Sequence, residues 1–186
     1  MLSGLGGAAV ALLWLKVGAL LGVREVCNAS YLAGYIVASA VLGAVLALIA
    51  QSLWGLFGPP SASALGGETP QRHELRLVWG ASAFPQVFPL LVLLPLDLLI
   101  VGQDTFTTTR LVDPVSTAWA AFSIALGMSA LVWSLFLLFR GVGSATGLGR
   151  GRALLCAAGA VLSVVIVVGA LVAATLLIPQ GAGCPT

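Results

Sequence analysis

The chain has 186 residues, of which 60% are hydrophobic and only 8% are charged, and its mean hydropathy is +1.11. Soluble domains carry about 25% charged residues, so this chain has too little charge to cover a soluble surface. The composition excludes a soluble enzyme, a nucleic-acid-binding module and a disordered tail, and it predicts an integral membrane protein. The net charge of +2 is too small to indicate a nucleic-acid or acidic partner.

Five apolar stretches are long enough to cross a bilayer, which takes about 20 residues of helix. The sequence predicts one all-α integral membrane domain over residues 1–186, a five-transmembrane-helix bundle with spans at 2–23, 31–57, 77–101, 115–139 and 153–178. Gly58-Pro59-Pro60 is expected to stop the second helix.

The third span is expected to be kinked by proline. It carries Pro85, Pro89 and Pro95, and proline both removes a helical hydrogen bond and clashes with the preceding turn. We expect an interfacial helix up to Phe84, a break at Pro85, and then a short kinked span to about Val101.

The basic residues indicate how the spans are oriented. With five spans, most of them lie on one side of the membrane, namely Arg72, Arg76, Arg140, Arg150 and Arg152. The other side holds Arg24 and Arg110. Because cytoplasmic loops are enriched in Lys and Arg, we expect the N-terminus inside and the C-terminus outside, in the cell membrane if the source is prokaryotic. A re-entrant third segment would give four spans and remove this bias, so the charge pattern favours five.

Two ionisable side chains, Lys16 and Asp97, lie well inside predicted spans. The topology places both in the outer halves of their helices, at matching depth. Burying either charge in lipid costs a few kcal/mol on insertion scales, so such residues pair, line a pathway or reach for the interface. The sharper hypothesis is an intramembrane ion pair or a shared polar cavity. The alternative is that each side chain extends separately to the outer interface.

Other candidate sites are weaker. Arg140, Arg150 and Arg152 border a glycine-rich cytoplasmic loop and could contact anionic lipid headgroups, but the general bias of positive charge toward the inside is the favoured explanation of their position. Cys27 and Cys184 both fall on the predicted outer side and could form a disulfide if that compartment is oxidising. No residue set indicates catalysis, a cofactor or a metal site.

From about Leu56 onward the chain resembles the Yip family of small five-span membrane proteins. The similarity covers Gly66-Gly67 with the segment Leu75–Pro85, the helix Trp119–Phe139, and the glycine-rich and basic link Gly147–Leu154. The resemblance implies five spans with an N-in, C-out orientation. Eukaryotic members interact with Rab-type GTPases through a sizeable cytoplasmic N-terminal region. The chain begins almost directly in its first predicted span, so Rab binding is not assigned to any residue here.

These observations favour a non-enzymatic, Yip-like component of a membrane assembly or of membrane organisation. Its expected partners are the lipid bilayer and either other membrane subunits or a second copy of itself. The alternative is a small transporter or channel component, in which Lys16 and Asp97 line a polar cavity beside a discontinuous helix. A dry, closely packed contact between the two residues would favour the first hypothesis, and a water-filled cavity the second. A membrane enzyme ranks third, because the spans lack a catalytic polar cluster.

Overall fold

The computed structural model describes residues 1–20, 29–102 and 114–159, together with positions 162, 165 and 169. All regular secondary structure in these ranges is helical, which confirms the predicted all-α class for the described part of the chain. The helices are α1 (Leu2–Leu20), α2 (Ala29–Ala64), α3 (Arg72–Ser82), α4 (Phe84–Phe88), a π-helical turn (Pro89–Leu93), α5 (Leu94–Ile100) and α6 (Pro114–Thr146). A further helix, α7, occupies residues 150–159.

Three helical stretches are long and apolar enough to cross a membrane, and they are Ile36–Ala64, Arg72–Ile100 and Pro114–Thr146. Leu2–Gly18 is a shorter apolar helix. Most of the predicted span at 153–178 lies outside the described residues. The structure therefore supports a membrane-embedded, all-helical protein, and the count of five spans stays a prediction.

The predicted stop of α2 at Gly58-Pro59-Pro60 is wrong, because the helix continues to Ala64. The hydroxyl of Ser61 donates to the Gly58 carbonyl and that of Ser63 donates to the Pro60 carbonyl, so side chains supply hydrogen bonds inside this proline-containing turn. The helix ends at Ala64, two residues before Gly66, whose φ of +79° suits glycine. Gly66 N–H bonds to the Ser63 carbonyl and Gly67 N–H to the Ala62 carbonyl, which is the Schellman pattern of a helix end.

The third predicted span is interrupted, but at Ala83 rather than at Pro85. Ala83 alone separates α3 from α4 and keeps right-handed helical angles (φ −77°, ψ −10°). Pro85 then lies in the first turn of α4, where its missing N–H is not needed. The main irregularity is the π-helical turn that begins at Pro89. The predicted interfacial helix and the segment after it thus form one nearly continuous apolar run.

The helix predicted at 115–139 begins one residue earlier and continues seven residues further. It ends at Thr146, and the next residue, Gly147, has a φ of +62°. Val142 and Thr146 in the added turns are fully buried. The extension therefore follows from packing, since these turns contribute to the core.

The helices α1 and α2 cross at very close range. A Cβ added to Gly7 would collide with the Gly43 carbonyl and with Ala47, and a Cβ added to Gly43 would lie 2.6 Å from Ala11 Cβ. Small residues at spacings of four allow such approach in membrane proteins. The Gly43 and Ala47 positions of α2 are therefore used to pack α1.

At one end of the bundle, α2, α3, α6 and α7 share an apolar cluster. It is composed of Trp54, Ala62, Leu75, Leu138, Val142, Leu148, Ala153, Cys156 and Ala157. Backbone contacts tie the loops together here, because Glu68 N–H donates to the Thr146 carbonyl at 2.9 Å. The exposed arginines of α3, α6 and α7 belong to this same end.

Candidate functional site

The structure brings the two charged residues of the membrane helices, Lys16 and Asp97, into direct contact. Lys16 lies one turn before the end of α1, and Asp97 lies in the first turn of α5. The Lys16 Nζ atom forms an ion pair with Asp97 Oδ2, and the two side chains are 9% and 1% exposed. Neither side chain reaches separately for the interface.

The helix α6 completes the environment of this pair with two further polar groups. Lys16 Nζ donates a hydrogen bond to Ser123 Oγ at 3.2 Å. Trp119 Nε1 donates to Asp97 Oδ1 at 3.0 Å. Trp119 and Ser123 are four residues apart, so they share one face of α6. The resulting Lys-Asp network, formed by Lys16, Asp97, Trp119 and Ser123, joins α1, α5 and α6.

The Lys-Asp network satisfies both charges with polar partners. Each carboxylate oxygen of Asp97 has a donor, one from Lys16 and one from Trp119. A buried ion pair compensates for its desolvation only when geometry and extra hydrogen bonds are good. Ser123 and Trp119 supply such extra hydrogen bonds, so the network links three helices through polar side chains.

The free space beside the network is small. A cavity of about 20 Å³ is lined by Lys16 and Ser123 together with apolar groups, among them Ala9, Leu13 and Leu93. A cavity must offer at least about 10–15 Å³ to hold one water molecule. The space therefore suits a single water and does not form a solvent-filled chamber.

A second polar contact joins α1, α2 and α3. The Ser3 hydroxyl donates to Gln51 Oε1 at 2.7 Å, and Gln51 Nε2 donates to the Arg76 carbonyl at 2.8 Å. Gln51 thus uses both ends of its amide to form hydrogen bonds between helices.

The three arginines proposed as lipid contacts, Arg140, Arg150 and Arg152, are all exposed. The Arg140 guanidinium carbon lies 5.7 Å from the centre of the Phe136 ring. Arg152 Nη1 donates to the Leu65 carbonyl at 3.2 Å, so it also braces the end of α2. Arg150 is exposed near the start of α7. Their contact with anionic lipids stays a prediction.

Other candidate sites receive little support. Cys27 and Cys184, predicted to form a disulfide, both lie outside the described residues. Cys156 is a buried free thiol in the apolar cluster. Within the described part of the chain, no group of three or more His, Cys, Asp or Glu residues could hold a metal ion.

Trp119 was not predicted to be a member of the Lys-Asp network. A tryptophan near a helix end is usually a residue of the membrane interface. Its spacing of four from Ser123 places the two side chains on one face of α6. A buried indole N–H generally finds an acceptor, so Trp119 could have been predicted to bond to a polar group near Ser123. Asp97 was the acceptor at matching depth.

No protein-family model, curated protein or solved structure matches this chain. The similarity to the Yip family therefore rests on the sequence segments described above. The geometry of the Lys-Asp network and of the surrounding helices is the basis on which a function can be argued.

Proposed function

We propose that the chain is a non-enzymatic structural or accessory component of a membrane assembly, of the Yip-like type, with five spans, the N-terminus inside and the C-terminus outside. The observation that carries this proposal is the closed Lys-Asp network. The polar groups buried between α1, α5 and α6 are engaged with one another, and they hold helices together rather than presenting a surface to a substrate.

The surroundings of the network support a packing role. The adjacent cavity of about 20 Å³ is mostly apolar, so it offers no room for a solute beyond a water molecule. The opposite end of the bundle is filled by the apolar cluster around Leu75 and Val142, which are both fully buried. In the described part of the chain, these two features favour packing over the passage of a polar solute.

The outer surface indicates where partners would bind. In each of the three long apolar stretches, between 11% and 22% of the residues in the most apolar window are buried within the chain. The rest must face lipid or other transmembrane helices. Exposed small residues on α6, namely Ala121, Ala125 and Ser129, are compatible with close approach of another helix.

One observation favours a transporter or channel component as a second candidate function. The π-helical turn Pro89–Leu93 lies directly before α5, which carries Asp97. Such turns are frequent at functional sites, and interrupted helices form ion and substrate sites in transporters. In this alternative the Lys-Asp network would open during a transport cycle.

Purification in a mild detergent, followed by mass spectrometry of what remains bound, tests the proposal. An accessory component should retain a stoichiometric membrane-protein partner, or a defined second copy of itself. Disruption of the Lys-Asp network by Asp97→Asn should reduce that retention. Recovery of a homogeneous single chain with no partner would contradict the accessory role and favour the transporter.

A further inference from the structure

A buried glutamine lies outside the Lys-Asp network and has no role in it. Gln86, on α4, is 3% exposed. Neither its Nε2 nor its Oε1 has a hydrogen-bond partner among the described residues. A carboxamide offers two donor hydrogens and an acceptor oxygen, and burying such a group without partners costs free energy. Gln86 therefore requires a polar group that the neighbouring side chains in the described part of the chain do not supply.

Ser134 on α6 is in the same situation. It is 9% exposed, and its hydroxyl has no partner in the described part of the chain. The helices α3 and α6 run antiparallel, and a Cβ added to Gly141 would touch Val78. At a rise of about 1.5 Å per residue, Gln86 lies about 12 Å from Val78 along α3 and α4. Ser134 lies about 10.5 Å from Gly141 along α6, in the same direction. The two unpartnered side chains are therefore at the same depth.

The first helix presents a small residue at this depth. A Cβ added to Gly6 would lie 2.8 Å from the Ala83 side chain, which fixes the register of α1 against α4. Three residues further along both helices, Ala9 lies at the level of Gln86. Ala9 is buried and has a single methyl as its side chain, so α1 offers no polar side chain to Gln86 at this position.

The backbone beside Gln86 has more acceptors than donors. Pro85 and Pro89 flank this position, and neither proline has an N–H to donate. Pro89 also removes the N–H that would serve the Pro85 carbonyl one turn earlier. A water molecule can donate two hydrogen bonds, so it could supply donors to the backbone carbonyls beside Gln86.

We propose that Gln86 and Ser134 form a water-binding site inside the bundle, in which at least one ordered water bridges the carboxamide and the hydroxyl. Buried waters typically make about three hydrogen bonds to groups that would otherwise be unsatisfied, and this depth offers Gln86, Ser134 and backbone carbonyls. The site is separate from the Lys-Asp network, since Gln86 precedes Asp97 by three helical turns. It does not depend on the proposed function.

A double-mutant cycle tests the bridge. Gln86→Leu and Ser134→Ala should each lower the melting temperature by about 2–4 °C, which corresponds to one lost hydrogen bond in a chain of this length. The double variant should lose clearly less than the sum, because both single changes disrupt the same water. The matched control is Ser82→Ala, since the Ser82 hydroxyl is buried but already donates to the Trp79 carbonyl. Its effect should add to that of Gln86→Leu.

A rise in melting temperature for Gln86→Leu would overturn the proposal, because it would show an amide that no water stabilises. Strict additivity of Gln86→Leu and Ser134→Ala would do the same.

A crystal or cryo-EM map that resolves ordered water separates a bridge from a direct contact. Density within hydrogen-bonding distance of both side chains supports the site, and a direct Gln86–Ser134 hydrogen bond without water refutes it.

Discussion

Asp97 receives hydrogen bonds from two helices at once, and its two oxygens have different functions. Oδ2 pairs with the ammonium group of Lys16, whereas Oδ1 accepts the indole N–H of Trp119. The contact with Lys16 neutralises the charge of the carboxylate, whereas the contact with Trp119 is a hydrogen bond from an uncharged donor. Substitutions can therefore separate the charge of Asp97 from its hydrogen-bonding capacity.

We expect Asp97→Asn to be strongly destabilising, because it retains an acceptor for Trp119 while leaving the Lys16 ammonium buried without a counter-charge. Removing one partner of a buried pair costs about 3–5 kcal/mol. Trp119→Phe should cost about 1–2 kcal/mol, since it removes one hydrogen bond and keeps the charge pair. Unfolding of the purified variants in detergent measures the difference.

The reversed pair, Lys16→Asp with Asp97→Lys, provides the control. It should recover part of the loss caused by either single change, because the opposite charges meet again. Recovery should stay incomplete, since the Trp119 N–H then faces an ammonium group instead of a carboxylate. If the reversed pair is no more stable than the single variants, the ion pair does not stabilise the fold.

At the level of single residues, the scarcity of charged side chains made Lys16 and Asp97 predictable as members of the site. Lys16 and Asp97 are exceptional because charge is so scarce in this chain, and equal depth suggested that they meet. Gln86 and Ser134 carried no comparable sign, since uncharged polar residues are common in membrane helices. Their significance depends on burial and on the register of α3 against α6, which no single residue in the sequence determines.

The sequence correctly predicted the helices of continuous apolar composition. It did not predict the residues at which these helices end. The end of α2 shows the reason. Pro59 and Pro60 are strong local stop signals, yet Ala62 beyond them is fully buried in the apolar cluster. Packing of the added turn outweighs the proline penalty, and the serine hydroxyls supply local hydrogen bonds. The helix ends where Gly66 can adopt a positive φ, which depends on the fold around it.

The crossing of α1 and α2 leads to a prediction at the scale of a helix pair. We expect Gly43→Ala to lower the unfolding free energy by about 1–3 kcal/mol, the usual cost of overpacking, because the new methyl would meet the Gly7 backbone and Ala11. Gly4→Ala is the matched control on α1, since its added Cβ would lie no closer than 3.8 Å to α2. Thermal unfolding of both variants measures the contrast, and equal stability would contradict the close crossing.

For the whole molecule, the number of spans depends on which ends of the bundle the loops occupy. The Glu68 N–H bonds to the Thr146 carbonyl, and Arg152 bonds to the Leu65 carbonyl. Residues 65–68 and 146–152 therefore lie at one end. Two membrane-length helices, Arg72–Ile100 and Pro114–Thr146, separate these loops along the chain. Two complete crossings return the chain to the side from which it started, so the described residues agree with a third segment that crosses fully, as the proposed five-span arrangement requires.

Reporter fusions test this arrangement in a bacterial host. Alkaline phosphatase, which is active only outside the cytoplasm, should be inactive when fused after Gly67 or after Gly147. It should be active when fused after Asp113 or after Thr186. In a four-span arrangement with a re-entrant third segment, Gly67 and Gly147 would lie on opposite sides, so one of their fusions would be active.

The arginines provide the physical reason for the expected orientation and a way to perturb it. Changing Arg140, Arg150 and Arg152 to glutamine lowers the positive charge of the proposed cytoplasmic side from five residues to two, which equals the number on the other side. Because charge bias in short loops sets orientation, the triple variant should insert in mixed orientation. Phosphatase activity should then appear at Gly147 and fall at Thr186. An unchanged activity pattern would show that the bias of these arginines does not orient the chain.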